Sequence, residues 1–141
     1  MKADNTLYLI AKAKALMNQF IISELNKQGI DGIVPSHGDI IISLLKHETL
    51  TMKELADKIE RDPSTVTTLV KKLNNLGYTQ VLKDSADKRA NIVSLTTEGK
   101  ALEAVFISIS EKLYKKQYQN TNEEEKEIFR DVLKKMIENF R

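Results

Sequence analysis

Apolar residues recur along this chain at helical spacings, interrupted by one short stretch where they alternate. Over residues 5–28, Leu9, Ala13, Leu16 and Phe20 form one row at intervals of three and four, and Ile10, Met17, Ile21 and Leu25 form a second row beside it. Two adjacent rows make a wide stripe, so this first helix is predicted to be covered on more than one side. Gly29 and Gly32 punctuate its end. A second helix is expected to open at Pro35-Ser36 with Ser36 as its cap, burying Ile40, Ile41, Leu44 and Leu45, and residues 47–50 read as a turn. Thr51 and Glu54 have capping-box spacing, which starts a third helix over 52–59 that buries Leu55, Ala56 and Ile59.

The fourth helix begins at Asp62-Pro63, a good cap followed by the residue best suited to the first helical position. Its stripe is Val66, Leu69, Val70 and Leu73, and Gly77 supplies its C-terminal cap. Residues 78–83 and 91–95 read as two short strands around a polar loop. A fifth helix is expected to run unbroken from Thr96 or Thr97 to about residue 118, burying Leu102, Val105, Phe106, Ile109 and Leu113. A box of Thr121 and Glu124 then opens the last helix, whose two-row stripe is Ile128, Phe129, Val132, Leu133, Met136, Ile137 and Phe140.

The predicted class is mainly α with a small β-hairpin wing (α+β), folded as one domain over 1–141. Residues 36–95 can close their own small core as a winged helix-turn-helix lobe. The helices of 1–30 and 97–141 are left with wide apolar stripes, which a second copy would cover; two-fold dimers are the commonest oligomers. Leu9, Leu16, Leu113, Val132, Met136 and Phe140 are the expected dimer residues.

Composition narrows the function classes. The 141 residues contain no Cys, which excludes disulfides, a thiolate nucleophile and a thiolate metal site, and points to an intracellular, cytoplasmic protein. No apolar run approaches the roughly 20 residues of a membrane span, and the N-terminus lacks the pattern of a signal peptide. Net charge is +2; residues 51–100 carry nine Lys/Arg against seven Asp/Glu, while the two flanking segments are balanced. The basic excess therefore sits on the predicted lobe. No glycine-rich phosphate loop or Ser-His-Asp grouping is present, so no enzyme and no cofactor are expected. His37 and His47, ten residues apart at opposite ends of one helix, do not make a metal site.

The fourth helix shows solvent only polar side chains. Ser64, Thr65, Thr67 and Thr68 sit near its N-terminus, the end that recognition helices insert into a major groove, and Lys71 and Lys72 follow where phosphates would lie. On the wing, Asp87 and Arg89 point the same way on an extended segment, so the carboxylate can brace the guanidinium for a narrow minor groove, and Lys88 faces a flanking phosphate. The contrary reading is an ordinary solvated helix face and a charged turn, in a winged-helix protein–protein interaction module that binds no DNA.

The run Asp62-Pro-Ser-Thr-Val-Thr, then Leu73…Leu76-Gly77, then Asp84…Asp87-Lys88-Arg89, then Leu95-Thr96…Gly99 resembles the MarR family of bacterial winged helix-turn-helix transcriptional regulators over nearly the whole chain. Thr68 and Val81 stand where basic residues are frequent in that family, and Ser85 where Pro is common. The resemblance implies a homodimer on a pseudo-palindromic operator in double-stranded DNA, with Arg89 in the minor groove and Ser64, Thr65 and their neighbours in the major groove. It also implies a repressor released by a small lipophilic or phenolic effector. Met17, Phe20, His37, Ile41 and Phe106 are the candidate lining of an effector pocket. The absence of Cys excludes the thiol-based redox branch.

Overall fold

The computed structural model describes residues 3–83, 86 and 91–141. Its elements are α1 (Thr6–Lys27), α2 (Pro35–His47), β1 (Thr49–Thr51), α3 (Met52–Ile59), α4 (Pro63–Asn75), β2 (Thr79–Lys83), β3 (Asn91–Leu95), α5 (Thr97–Lys100), α6 (Glu103–Gln117) and α7 (Glu123–Asn139). The fold is mainly helical with a three-stranded antiparallel sheet in the order β1-β3-β2.

The lobe core forms where the helix stripes meet the sheet. Ile40, Ile41, Leu44, Leu55, Val66, Val70, Leu73 and Val93 are essentially inaccessible to solvent. Val93 sits at the centre of the sheet, paired with Leu50 of β1 and Val81 of β2. The strand β1 falls where the sequence read as a turn. Three residues carry too little alternation to show as a strand, and this one exists because β3 offers it an edge.

The chain leaves α1 and α4 through the same device. After α1, Gly29 (φ +77°) donates its N–H to the Asn26 carbonyl and Ile30 donates to Leu25. After α4, Gly77 (φ +85°) donates to Asn74 and Tyr78 to Leu73. These paired bonds satisfy the last carbonyls and need a left-handed residue that glycine takes without strain.

Three helix boundaries differ from the sequence reading. The helix α2 begins one residue before Ser36, because Val34 is the capping position and the His37 ring, in place of the usual Glu or Gln, accepts the Val34 N–H at 3.0 Å. The Ser36 hydroxyl instead accepts from Arg61 Nη2 at 3.0 Å. The predicted fifth helix is two: α5 ends at Lys100 and α6 starts at Glu103, because Thr96 caps a single tight turn pinned to the sheet. The box that opens α7 is Asn122 with Glu125, one residue later than predicted, and the Thr121 hydroxyl donates back to the Tyr118 carbonyl.

The Leu95-Thr96…Gly99 run is the knot between sheet and helices. Thr96 donates its N–H to the Tyr78 carbonyl at 3.0 Å and its hydroxyl to the Gly77 carbonyl at 2.6 Å, while its oxygen accepts the Gly99 N–H at 3.1 Å. A Cβ on Gly99 would stand 2.1 Å from the Tyr78 carbonyl oxygen, which is backbone and already bonded. Gly99→Ala is therefore expected to lower stability by about 1–3 kcal/mol, as overpacking does; urea denaturation of the two proteins measures it.

Outside the lobe, α1 packs on α6. The buried Glu24 carboxylate lies between Lys27 (3.7 Å) and Lys112 of α6 (4.0 Å). At the α6–α7 corner the Lys126 ammonium bonds Glu123 at 2.8 Å and lies over the Tyr114 and Tyr118 rings, 4.9 and 5.3 Å from their centroids. No residue of α7 is buried. Among the described residues no helix is long and apolar enough to cross a membrane.

Candidate functional site

The exposed face of α4 is built from its first residue. Asp62 is extended and Pro63 starts the helix with φ preset. The Asp62 carboxylate accepts the Thr65 N–H (3.1 Å), the Thr65 hydroxyl (2.6 Å) and the Ser64 hydroxyl. These bonds favour the ionised form and draw its pKa down to about 2. A depressed carboxylate stabilises the fold fully above its unfolded value, near 4, and this contribution is lost as pH falls through about 2. Asn also caps helices but does not titrate. Thermal melts between pH 5 and 2 are expected to fall less steeply for Asp62→Asn than for the natural protein.

One turn further on, the Thr67 hydroxyl donates to the Pro63 carbonyl at 2.9 Å and the Thr68 hydroxyl to the Ser64 carbonyl at 3.1 Å. All four hydroxyl protons of this face thus point inward, into the helix's own cap and carbonyls. The lone pairs are left to meet an incoming group, so the face in this state presents acceptors, suited to amino donors such as those of adenine or cytosine in a major groove. The sequence supplied the residue types; their polarity needed the geometry.

Ser64, Thr67, Thr68 and Lys71 are exposed and Thr65 is half-buried. Lys72 is turned toward the α1–α2 loop, where its Nζ would lie 3.4 Å from a Cβ on Gly32. Opposite this face, Val66, Val70 and Leu73 are buried in the core and set which face of α4 is turned outward. The turn from α3 into α4 is fixed by Glu60 in the left-handed region, by the Arg61 N–H on the Ala56 carbonyl at 3.1 Å and by the Arg61–Ser36 bond. Arg61 was not among the residues picked out from sequence, because nothing in its spacing marks it. Asp87, Lys88 and Arg89 lie outside the described residues.

A second feature is an apolar cleft of about 120 Å³ between α1, α2 and α6, walled by Ile21, Leu25, Val34, Pro35, Phe106 and Ile109 among others. Of the five residues expected there, Phe106 lines it. Ile41 and His37 are buried in the lobe beneath, and Met17 and Phe20 are half-buried on α1 outside it. Ile21 and Leu25, which wall the cleft, belong to the same row as Met17, one to two turns further along α1. Asp39 at the rim has its carboxyl pushed up by burial, opposed by Arg61 and Lys14. Among the described residues no cluster of His and carboxylates fit for a metal is present.

The six residues expected at a dimer contact fall on three helices. Leu9 (55 % exposed), Leu16 (50 %), Val132 (47 %) and Phe140 (89 %) are open to solvent in the single chain. Met136 and Leu113 are half-buried, and Leu113 also touches the cleft.

The model of the MarR family matches residues 33–90. The HTH-type transcriptional regulator SarZ of Staphylococcus epidermidis is 28 % identical over 101 residues, which are 72 % of this chain and 68 % of that protein. SarZ of Staphylococcus aureus is 31 % identical over 75 residues, 53 % of this chain and 51 % of that one. Among solved structures, the S. aureus MepR–DNA complex superposes with a TM-score of 0.87 at 25 % identity, covering 97 % of this chain and 99 % of that chain. A mutant E. coli MarR complexed with operator DNA gives 0.83 at 21 % identity, covering 96 % and 99 %.

Proposed function

This chain carries a MarR-family domain on a winged-helix fold of MarR type, and from that premise we propose that it is a cytoplasmic, sequence-specific double-stranded DNA-binding repressor. The observation that carries this reading is α4: a capped helix whose first two turns present four hydroxyls, with Lys71 exposed one turn further on. MarR-family members are transcriptional regulators, and the MepR and MarR structures named above hold DNA. In this chain Ser64, Thr65, Thr67 and Thr68 read base edges and Lys71 and Lys72 take phosphates. Asp87, Lys88 and Arg89 form the wing contact. None of this requires an enzyme's machinery.

The working unit is a homodimer. The apolar side chains of α1 and α7 left open in one chain are covered by the same surfaces of a second, which places two α4 helices for half-sites about 10 base pairs apart. A small lipophilic or phenolic effector fits the cleft between α1, α2 and α6, and by binding there changes the spacing of the two lobes. The test is selection of duplexes from a random pool by the purified protein. A pseudo-palindrome with half-sites one helical turn apart supports the reading; an unenriched pool at low salt transfers the fold to a protein-interaction role.

A further inference from the structure

His37 is a buried titratable group, 6 % exposed, lying between the two features described above. On one side is the first turn of α2, where its Nδ1 accepts the Val34 N–H at 3.0 Å and where Val34, Pro35 and Gly38 wall the cleft. On the other side is α4. The Lys72 ammonium acts on the ring, and its Nζ lies beside Gly32 in the loop that leads into this turn, 3.4 Å from where a Cβ there would stand. The other charged groups near this turn, Arg61 from the α3–α4 corner and Lys14 from α1, act on Asp39.

An Nδ1 that accepts a hydrogen bond carries no proton. Protonation would remove the acceptor, leave the Val34 N–H without its cap, and set an imidazolium against the Lys72 ammonium. Burial first, and Lys72 second, hold the ring below the usual histidine range, which is the same balance seen from the proton's side. Moving the first turn of α2 away from the Lys72 side of α4 relieves both. One element is a wall of the cleft and the other carries the DNA-facing residues.

We propose that His37 is a proton-sensitive joint between the α2 turn that walls the cleft and the helix α4, and that protonating it withdraws α4 from its DNA-reading position. The proposal rests on the DNA-binding reading for its consequence but not for its mechanism, and the experiment separates the two.

The first arm needs no DNA. Labelled protein is titrated from pH 7.5 to 5.0 by NMR, following the His37 ring together with the amides of Val34, Gly38 and α4. The expected result is a common midpoint for all of them, moved to higher pH in Lys72→Met. A ring that does not titrate in this range, or α4 amides that stay still while Val34 moves, overturns the proposal. The second arm measures affinity for a selected duplex at pH 7.5 and 5.5, in the natural protein and in His37→Gln, whose amide oxygen can take the Val34 N–H at any pH. The natural protein is expected to lose at least about fivefold relative to the variant, the lower end of ordinary coupling between sites. Equal slopes overturn the proposal. Absence of DNA binding by both proteins at both pH values removes the functional reading instead, and leaves the first arm to decide the joint.

Discussion

Val132→Glu is expected to leave the subunit folded while converting the protein from dimer to monomer and abolishing tight operator binding. Val132 is 47 % exposed in the single chain and α7 buries nothing within it, so the substitution removes no core contact. In the proposed dimer the same position faces a partner, together with Ile128, Phe129, Ile137 and Phe140, all of them largely open to solvent. Fully burying each such side chain is worth about 1.5–3 kcal/mol. A two-fold axis places the introduced carboxylate at the contact twice, without a partner, which costs several kcal/mol more. Association should weaken by more than about 3 kcal/mol, roughly 150-fold. Sedimentation reads the oligomer, circular dichroism the fold, and a duplex titration the binding. A monomer that still holds the full site as tightly would refute the dimer.

Arg89→Ala has the second largest expected effect. Lys88 and Arg89 supply two of the nine Lys/Arg of residues 51–100 in a chain whose net charge is only +2, so few other contacts can compensate. Removing a charge-assisted contact to the groove or its phosphates should cost about 1–3 kcal/mol, ten- to hundredfold in affinity. It should also lower the slope of log affinity against log salt by about one. The fold and the dimer should be unchanged, because a lone charged side chain in a polar loop contributes little to folding. An unchanged salt slope would remove Arg89 from the interface.

The parts of the molecule legible in the sequence are those set by local chemistry. Asp62-Pro63 and Gly77 bound α4 correctly because a cap, a preset φ and a left-handed exit are properties of single residues. The Thr51–Glu54 box likewise placed α3 to the residue. What escaped depended on partners distant in sequence. The strand β1 exists only against β3, and the break before α6 follows from Thr96 being tied to Gly77 and Tyr78. The cap of α2 escaped because a histidine ring at the third helical position does what a Glu or Gln usually does there. At the candidate site the residue types of α4 were readable. The inward direction of their hydroxyl protons, the turn of Lys72 toward Gly32 and the anchoring of Arg61 on Ser36 were not. The cleft lies one turn along α1 from the expected residues, since helical periodicity fixes a face and leaves the depth along it open.

The most direct test of the central claim is titration of the purified protein with duplex DNA from upstream of its own coding region, against scrambled duplex of equal length, at 50 and 200 mM salt. The account predicts preference for the upstream duplex at both concentrations, with absolute affinity falling steeply as salt rises. Equal affinity for the scrambled duplex, or no complex with either at the lower salt, would contradict it.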